Sequence, residues 1–348
     1  MLKDEFYMKR CLELAALGLG KTYPNPMVGS VIVYKGKIIG EGWHKKAGDA
    51  HAEVNAVNSV TDKSLLKEST IYINLEPCAH YGKTPPCAEL IIKHQIPNVV
   101  VGCVDSFSEV SGKGIEMMQN NGAKVVVGVL EDECKESHKR FFTFHEKKRP
   151  YIILKWAETQ DGFIAPSEQE IGKPFWITSP ESKKLVHKWR TEEASILIGT
   201  NTAEKDNPAL TARLWEGKQP IRIVIDRNLR LKNSLQVLDN STTTLVFTEK
   251  TKENSGFLNY IKIDFSKLHQ NLMHELYKRN IQSVIVEGGR KTLESFLDTN
   301  LWDEARIFTG NKNLLNGIKA PKFKIKPKSE DKVSTDVLRW FNNSNFIS

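Results

Sequence analysis

His51-Ala52-Glu53, followed by Pro77-Cys78 and then Cys87, is the feature that most constrains what this chain can fold into. One imidazole and two thiols, drawn from separate stretches of sequence, have to converge if they are to share a metal ion. The segment Asp49–Glu53 lies where a loop is expected to enter a helix. Cys78 comes just after a strand, and Cys87 follows Pro85-Pro86 at the first turn of the next helix. A helix N-terminus favours negative charge and helps to hold Cys87 as a thiolate. Two thiolates make the donor set soft, which selects zinc over magnesium or manganese. Taken singly, each residue fits a helix-start histidine or an unpaired core thiol; the ordered set favours zinc. Structural zinc sites close with four protein ligands, whereas catalytic ones keep a position for water. The pKa of coordinated water falls from about 15.7 toward about 7.

The rest of the composition bounds the answer. A chain of 348 residues is long for one core and predicts two domains. With 40% hydrophobic and 26% charged residues it reads as an ordinary soluble globular protein. No apolar run approaches the length of a membrane span, and the N-terminal MLKDEFYMKRCLELAALGLG, interrupted by acidic residues, reads as an amphipathic helix. Five cysteines do not suggest a disulfide framework, so a cytoplasmic, reducing setting is expected. Cys11, Cys103 and Cys134 read as small buried hydrophobes. A net charge of +8 reads first as solvated surface charge and next as a match to an anionic partner, either nucleic acid or a phosphorylated metabolite. The basic residues are scattered apart from Lys147-Lys148-Arg149 and PKFKIKPK, and neither run is interleaved with aromatics suited to base stacking.

Alternating strand-like and helix-like segments fill both halves. In the first, strands are predicted at Val28–Val33 and Lys37–Glu41 around a Lys35-Gly36 turn, and at Thr70–Leu75, NVVVGCV and AKVVVGVL. Helices are predicted at Glu53–Val60, CAELIIKHQ and Ile115–Asn121, which together argue for a three-layer α/β sandwich. CKESHKRFFTFHEKKRPY reads as one helix ending in a basic linker. The second half continues with strands YIILKWA, SILIGT, IRIVID, TTLVFT, SVIVEGG and EARIFTG. Its predicted helices are PESKKLVHKWR, HQNLMHELYKRN and RKTLESFLDTN. No internal repeat relates the halves.

The order His-x-Glu, then Pro-Cys and Cys, is that of zinc deaminases, in which the glutamate moves protons and is not a ligand. Eight residues, AHYGKTPP, separate the two cysteines here instead of the usual two. LEPCAHYGKTPPC, with PNPMVGSVIV and GWHKKAGDAHAE, closely resembles the riboflavin-biosynthesis bifunctional deaminase/reductase family. The second half agrees through LKWAETQDGFIA, WITSPES, ILIGTNTAEKDNPALTAR, IRIVID and VEGG, so the resemblance runs from about residue 5 to about residue 310. It implies a cytidine-deaminase-like three-layer sandwich, followed by a dihydrofolate-reductase-like domain. The expected boundaries are 1–146 for a zinc-dependent pyrimidine deaminase and 147–348 for an NADPH-dependent reductase.

For the first domain the resemblance implies deamination of 2,5-diamino-6-(5-phosphoribosylamino)pyrimidin-4(3H)-one. Its zinc ligands are His51, Cys78 and Cys87, its proton shuttle is Glu53, and Asn25, His44, His80, Lys83 and Thr84 surround the substrate. For the second it implies reduction of the ribosyl group of 5-amino-6-(5-phosphoribosylamino)uracil to ribityl. Ala157, Trp176, Thr202 and Asp206 are implied NADPH contacts, with Gly289, Arg290, Lys291, Thr292, Leu293, Glu294 and Ser295 around the diphosphate. Arg190, Leu210, Arg213 and Glu287 fall at substrate positions, and the arginines suit a phosphate. Lys155 and Asp206 are the polar candidates beside the reacting sugar carbon. Trp176 reads equally as a core aromatic. Gly18-Leu19-Gly20 is a poor match to a Rossmann G-x-G-x-x-G.

The sequence departs from the family at Pro174, where a serine is usual, and in DSFSEVSGKG, where Asp-Pro-Asn-Pro commonly precedes the Gly-Lys-Gly. Phosphoribosyl pyrimidines are the expected partners, with no nucleic acid and no membrane, and a homo-oligomer (dimer or tetramer) is expected. Two competing readings are also compatible with the sequence. One is a nucleoside or RNA-base zinc deaminase fused to a reductase-like binding module. The other is a nucleic-acid-binding regulator with a vestigial metal site, which would bind with steep salt dependence.

Overall fold

The computed structural model describes residues 3–81, 85–106, 111–168, 170, 172 and 175–343. Lys83, Thr84 and Pro174, together with the middle of DSFSEVSGKG, therefore lie outside the described residues. The chain divides into two compact units, Met1–Lys148 and Arg149–Ser348.

Among the described residues of the first unit, six α-helices and a short 3-10 helix (Lys63–Glu68) accompany five strands. The helices are α1 (Lys3–Ala16), α2 (Ala52–Ser59), α3 (Cys87–Lys93), α4 (Lys113–Asn120), α5 (Glu131–Ser137) and α6 (Lys139–Lys147). Strands β1 (Gly29–Tyr34) and β2 (Lys37–Trp43) form the predicted hairpin, with Lys35 and Gly36 both at positive φ, as a tight primed turn requires. Strand β3 (Thr70–Leu75) pairs antiparallel with β1, and β4 (Asn98–Cys103) and β5 (Lys124–Val127) continue in parallel, giving the order β2-β1-β3-β4-β5. Parallel neighbours cannot be joined by a tight turn, so α3 and α4 supply the crossovers.

Side-chain alternation along the strands builds the two faces. Val31, Val33, Tyr72 and Val100 pack with Met8 and Cys11 of α1, Cys134 of α5 and Phe141 and Phe142 of α6. Ile32, Ile71, Ile73, Val99 and Val101 face α2, α3 and α4 through Ala56, Ala88, Ile91 and Met118. Each fully buried branched side chain contributes about 1.5–3 kcal/mol of transfer free energy. The result is the expected three-layer sandwich. The segment expected as one helix is two. Helix α5 stops at His138 (φ −98°, ψ 7°) and α6 restarts there, with buried His138 Nδ1 2.7 Å from the Cys134 carbonyl oxygen.

The second unit is built on a nine-stranded sheet. Its strands are β6 (Tyr151–Glu158), β7 (Phe163–Ala165), β8 (Ser195–Gly199), β9 (Ile221–Ile225), β10 (Thr244–Thr248), β11 (Leu258–Lys262), β12 (Ser283–Gly288), β13 (Glu304–Thr309), β14 (Ile318–Lys319), β15 (Ser329–Val333) and β16 (Asp336–Asn342). The sheet order is β11-β10-β9-β8-β12-β6-β13-β16-β15, while β7 and β14 form a separate pair. The first seven strands of that order are parallel, and β16 and β15 close the edge in antiparallel fashion. Of the strands beyond residue 310, for which no role was expected, β15 and β16 form this edge hairpin and β14 pairs with β7.

Helices α7 (Pro180–Glu192), α8 (Thr200–Asp206), α9 (Leu268–Lys278) and α10 (Arg290–Asp298) cover the sheet. Ile152, Leu154 and Trp156 of β6 join the core under α9 and α10, and Tyr151 and Ile153 join the one under α7. At the start of this unit Arg149 grips the buried Asp303 with two hydrogen bonds (2.5 and 2.8 Å), and the Ile152 amide donates to the same carboxylate at 2.9 Å. No described helix is long and apolar enough to cross a membrane.

Candidate active sites

In the first unit the three ligand candidates meet at element junctions. His51 is the residue that caps α2, Cys87 is the first residue of α3, and Cys78 follows β3. Their donor atoms lie within 4.8 Å of one another, and among the described residues no other group of three or more such side chains could hold a metal. His51 Nδ1 is 3.3 Å from Cys87 Sγ and 3.7 Å from Cys78 Sγ. A tetrahedral zinc, with Zn–S about 2.3 Å and Zn–N about 2.0–2.1 Å, sets neighbouring S and N atoms about 3.6 Å apart. The three residues fit the ion.

The two thiols share their proton unequally, and the thiolate character expected of Cys87 falls on Cys78 instead. The Cys78 thiol is drawn down to about 4 by hydrogen bonding from Cys87 and His51 and from the Cys87 backbone amide, whose nitrogen is 3.3 Å away. Cys87 is pushed up in turn, first by its bond to Cys78 and then by burial. Glu53 sits in the first turn of α2 and is buried. Burial, followed by the negative charge of Cys78, raises its pKa above the ordinary glutamate value. A carboxyl group shifted upward in this way holds a proton more firmly than an ordinary glutamate and so can serve as acid as well as base.

Two glycine contacts set this geometry. A Cβ on Gly42 of β2 would lie 2.3 Å from Ala56 N and 2.5 Å from Ala52 O, so α2 rests directly on the strand backbone. A Cβ on Gly114 of α4 would lie 2.0 Å from the Pro77 carbonyl oxygen, beside Cys78. Glu76, which sequence reasoning missed, ties these pieces together. Its Oε2 accepts from Gly112 N (2.9 Å) and Asp105 N (3.3 Å), and its Oε1 from Gly114 N (2.9 Å) and Ile115 N (3.4 Å). No local motif marks these partners, because all four are backbone amides far along the chain.

His44 stands at the metal cluster, its ring 5.5 Å from that of His51 in an edge-to-face arrangement. Its Nδ1 is 3.2 Å from the Ala50 carbonyl oxygen, which can only accept, so Nε2 is the acceptor for Asn25 Nδ2 at 3.1 Å. Asn25 is left with its carbonyl oxygen to offer a ligand. His80 is exposed.

In the second unit a cavity of about 1010 Å³ collects nearly all of the sequence-predicted residues. Lys155 and Ala157 of β6, Arg190 of α7, Thr202 and Asp206 of α8, and Leu210, Arg213 and Glu287 all line it. So do Trp176 and residues 289–293, where Gly289 caps α10 after a cis Gly288–Gly289 peptide. Trp176 is 48% exposed with Lys183 Nζ 3.6 Å above its ring, which excludes the core-aromatic reading. Glu294 and Ser295 are not part of the lining. Glu294 Oε1 accepts from Arg290 Nε at 2.7 Å, and Ser295 Oγ donates to the Thr292 carbonyl oxygen at 2.7 Å.

Arg190 and Glu287 form a shielded pair with a 2.9 Å contact, and Arg190 Nη1 also donates to the Thr211 carbonyl oxygen at 3.0 Å. Desolvation pushes the Glu287 carboxyl up, but Arg190 and then Lys155 overcome it and hold the pKa below the ordinary value. Burial lowers the Lys155 ammonium, only partly offset by Glu287. Sequence reasoning missed Lys183, His187, Asp226, Arg227 and Arg230, which also line the cavity. The signal for two of them was present: Lys183, His187 and Arg190 recur at helical spacing on α7.

The two units have separate counterparts among known proteins. Residues 1–103 match the cytidine and deoxycytidylate deaminase zinc-binding region, and residues 150–316 match the RibD C-terminal domain. The chain is 39% identical to riboflavin biosynthesis protein RibD of Aquifex aeolicus, over 97% of this chain and 98% of that protein. It is 34% identical to the protein of that name from Escherichia coli, over 93% and 96%. Its structure aligns with a diaminohydroxyphosphoribosylaminopyrimidine deaminase/5-amino-6-(5-phosphoribosylamino)uracil reductase from Thermotoga maritima, with a TM-score of 0.89, 37% identity and 98% of each chain covered. Acinetobacter baumannii RibD aligns with a TM-score of 0.89 at 32% identity, again covering 98% of each chain. With both halves matched in order along nearly its whole length, the chain belongs to the RibD family and is a bifunctional deaminase and reductase of riboflavin biosynthesis.

Proposed function

We propose that the first unit hydrolyses the exocyclic amine of 2,5-diamino-6-(5-phosphoribosylamino)pyrimidin-4(3H)-one, and that the second reduces the resulting 5-amino-6-(5-phosphoribosylamino)uracil to its ribityl form with NADPH. The observation that carries the first step is the buried carboxyl of Glu53 beside the convergent His51, Cys78 and Cys87. Bound there, zinc would act as a Lewis acid and lower the pKa of water toward neutrality. The Glu53 carboxylate takes the proton from the attacking water as the C–O bond forms. It returns that proton to the amine nitrogen as the C–N bond breaks and ammonia leaves. Asn25, oriented by His44, presents its carbonyl oxygen to a donor edge of the pyrimidine. His80, Lys83 and Thr84 are assigned to the same substrate.

Bound in the reductase cavity, NADPH would supply the hydride. We assign its diphosphate to residues 289–293 at the start of α10, where the first-turn N–H groups ahead of Leu293 point out of the helix end, and its remaining contacts to Ala157, Trp176, Thr202 and Asp206. The substrate then lies toward Arg190, Leu210, Arg213 and Glu287, with the guanidinium groups on its phosphate. Lys155 Nζ and the Asp206 carboxyl flank the reacting sugar carbon, and Lys155 holds the proton that accompanies the hydride. The thiol ligands suit a cytoplasmic enzyme, and we expect a homodimer or homotetramer, checked by sedimentation.

A coupled assay tests the reading. The phosphoribosyl diaminopyrimidine is supplied, and ammonia release and NADPH oxidation are followed separately. Glu53→Gln should abolish ammonia release while retaining zinc, and should still reduce the deaminated intermediate when that is supplied. Deamination by this variant at the parental rate would remove Glu53 from the mechanism.

A further inference from the structure

Helix α7 turns one stripe of side chains into the reductase cavity: Lys183, His187 and Arg190, at i, i+4 and i+7. His187 is only 2% exposed, so its ring is part of the wall and has little freedom to move. Its protonation pattern is readable from one contact. The Leu214 backbone N–H, which can only donate, points at His187 Nδ1 at 3.4 Å. Nδ1 is therefore an acceptor, and the proton of the neutral ring resides on Nε2.

The surroundings keep the ring uncharged. Burial lowers the His187 pKa first, and Arg190, Arg213 and Lys183 lower it further against the opposing pull of Glu287, to about 4. The wall thus presents three permanent cations and, among them, a neutral N–H. The cations are not equally free. Arg190 is engaged by Glu287 and by the Thr211 carbonyl, and Lys183 lies over Trp176. A directional donor that needs no counter-charge complements them where a phosphate oxygen has to be held in one orientation.

We propose that His187 is a specificity-determining residue of the reductase, donating Nε2–H to a phosphate oxygen of the phosphoribosyl substrate between Arg190 and Arg213. This rests on the proposed reductase reading above. The donor acts on the substrate and not on the nicotinamide coenzyme, whose assigned contacts at α8 and α10 lie on other elements. It sets affinity for the phosphorylated sugar and leaves the hydride step to the groups beside the sugar carbon.

Three proteins decide it: wild type, His187→Phe, which keeps a planar ring without a donor, and His187→Gln, which restores a neutral N–H. Each is assayed for NADPH oxidation with 5-amino-6-(5-phosphoribosylamino)uracil, varying each substrate in turn. Losing one hydrogen bond to a charged group should raise the KM for the pyrimidine in His187→Phe about 10- to 100-fold. The KM for NADPH, kcat and ammonia release by the first unit should stay within about twofold, and His187→Gln should recover most of the loss. A His187→Phe enzyme with an unchanged pyrimidine KM, or with both KM values raised alike, would overturn the inference. So would a His187→Gln enzyme no better than His187→Phe, which would mean that ring packing alone matters. Absence of turnover in the wild type would instead overturn the proposed reductase substrate.

Discussion

Replacing Gly42 by alanine adds one methyl group to β2 at a distance from the chemistry, yet it should disable the deaminase. The new Cβ would lie 2.3 Å from Ala56 N, 2.5 Å from Ala52 O and 2.7 Å from Asn55 C. All three are backbone atoms of α2, so no side chain can rotate aside. Non-bonded contacts relax at about 3.5 Å, so the helix must rise off the strand by about 1 Å. Forcing an extra methyl group into a packed layer costs about 1–3 kcal/mol, which a domain of this size can survive. The catalytic site cannot absorb the same displacement. Helix α2 carries Glu53 and is capped by His51, and an error of about 1 Å in a reacting group costs about 100-fold in rate. Metal–ligand distances tolerate only about 0.2 Å. The expected outcome is deaminase activity lowered about 100-fold, weaker zinc retention against a chelator, and NADPH oxidation by the second unit at the wild-type rate. The assay follows ammonia and NADPH on one preparation, with Gly36→Asn as a control, since a Cβ there meets nothing within 4 Å. Gly42→Ala enzyme deaminating within threefold of wild type would refute the argument that direct helix-on-strand contact positions Glu53.

Three further outcomes are expected. Glu76→Gln would turn two N–H donors of its own toward the four backbone N–H groups that the carboxylate now satisfies. Two unmet buried donors cost about 2–6 kcal/mol, so melting of the first unit should drop sharply and zinc should be lost faster to a chelator; unchanged melting would contradict the clamp. Asp303→Asn leaves Arg149 buried with a weakened partner, costing about 3–5 kcal/mol, and should lower the melting temperature of the second unit with little change in that of the first. Acidification should also destabilise both units. His138 and His187 each titrate near 4 when folded and near 6.5 in their ordinary state, so the unfolded chain takes up protons first. Their contribution is complete above about pH 6.5 and falls as the pH drops toward 4; melting temperatures that stay level from pH 7 to pH 5 would count against it.

The metal ligands were legible because each sits at a junction with its own local grammar. His51 precedes a helical run, Cys78 ends a strand, and Cys87 follows two prolines. The β1–β2 hairpin was legible in Lys35-Gly36, which can adopt the positive φ values the turn needs. Other elements left weaker traces. Strand β15 reads SEDKV and is mostly exposed, so no apolar alternation announces it; it exists because β16 offers it an edge. The break between α5 and α6 falls at His138 with neither glycine nor proline to mark it. It is set by tertiary packing of the buried ring. Glu76 could not be singled out because a carboxylate that serves backbone amides has no partner side chain to pair with it in sequence. In sequence His187 is only part of a stripe that any amphipathic helix shows, and what distinguishes it is that α7 lines a cavity. The placement of Glu294 and Ser295 makes the same point from the other side. Family position put them beside Gly289–Leu293, but at about 1.5 Å of rise per residue they lie a full turn beyond the N-terminal end of α10 that lines the cavity.

Strand direction explains why both chemistries fall where they do. In the first unit β2 and β3 both run antiparallel to β1, and β4 is parallel to β3, so β2, β3 and β4 all end at one edge of the sheet. His44 and His51 follow β2, Glu76 and Cys78 follow β3, and Asp105 follows β4. In the second unit the residues that follow β8, β9 and β12 are Thr200–Asp206, Asp226–Arg230 and Gly289–Leu293, and all three segments contribute to the cavity. Crevices outside the carboxyl ends of parallel strands are where open α/β sheets bind ligands, because helix N-termini gather there and direct unpaired N–H groups at whatever binds. The Asn121–Ala123 loop leading into β5 carries none of the assigned residues, whereas the long connection from α8 to β9 brings Leu210 and Arg213 to the cavity. The order and direction of the strands therefore identify which loops can hold chemistry. A deaminase and a reductase with unrelated reactions can be joined in one chain because each unit meets that requirement on its own sheet.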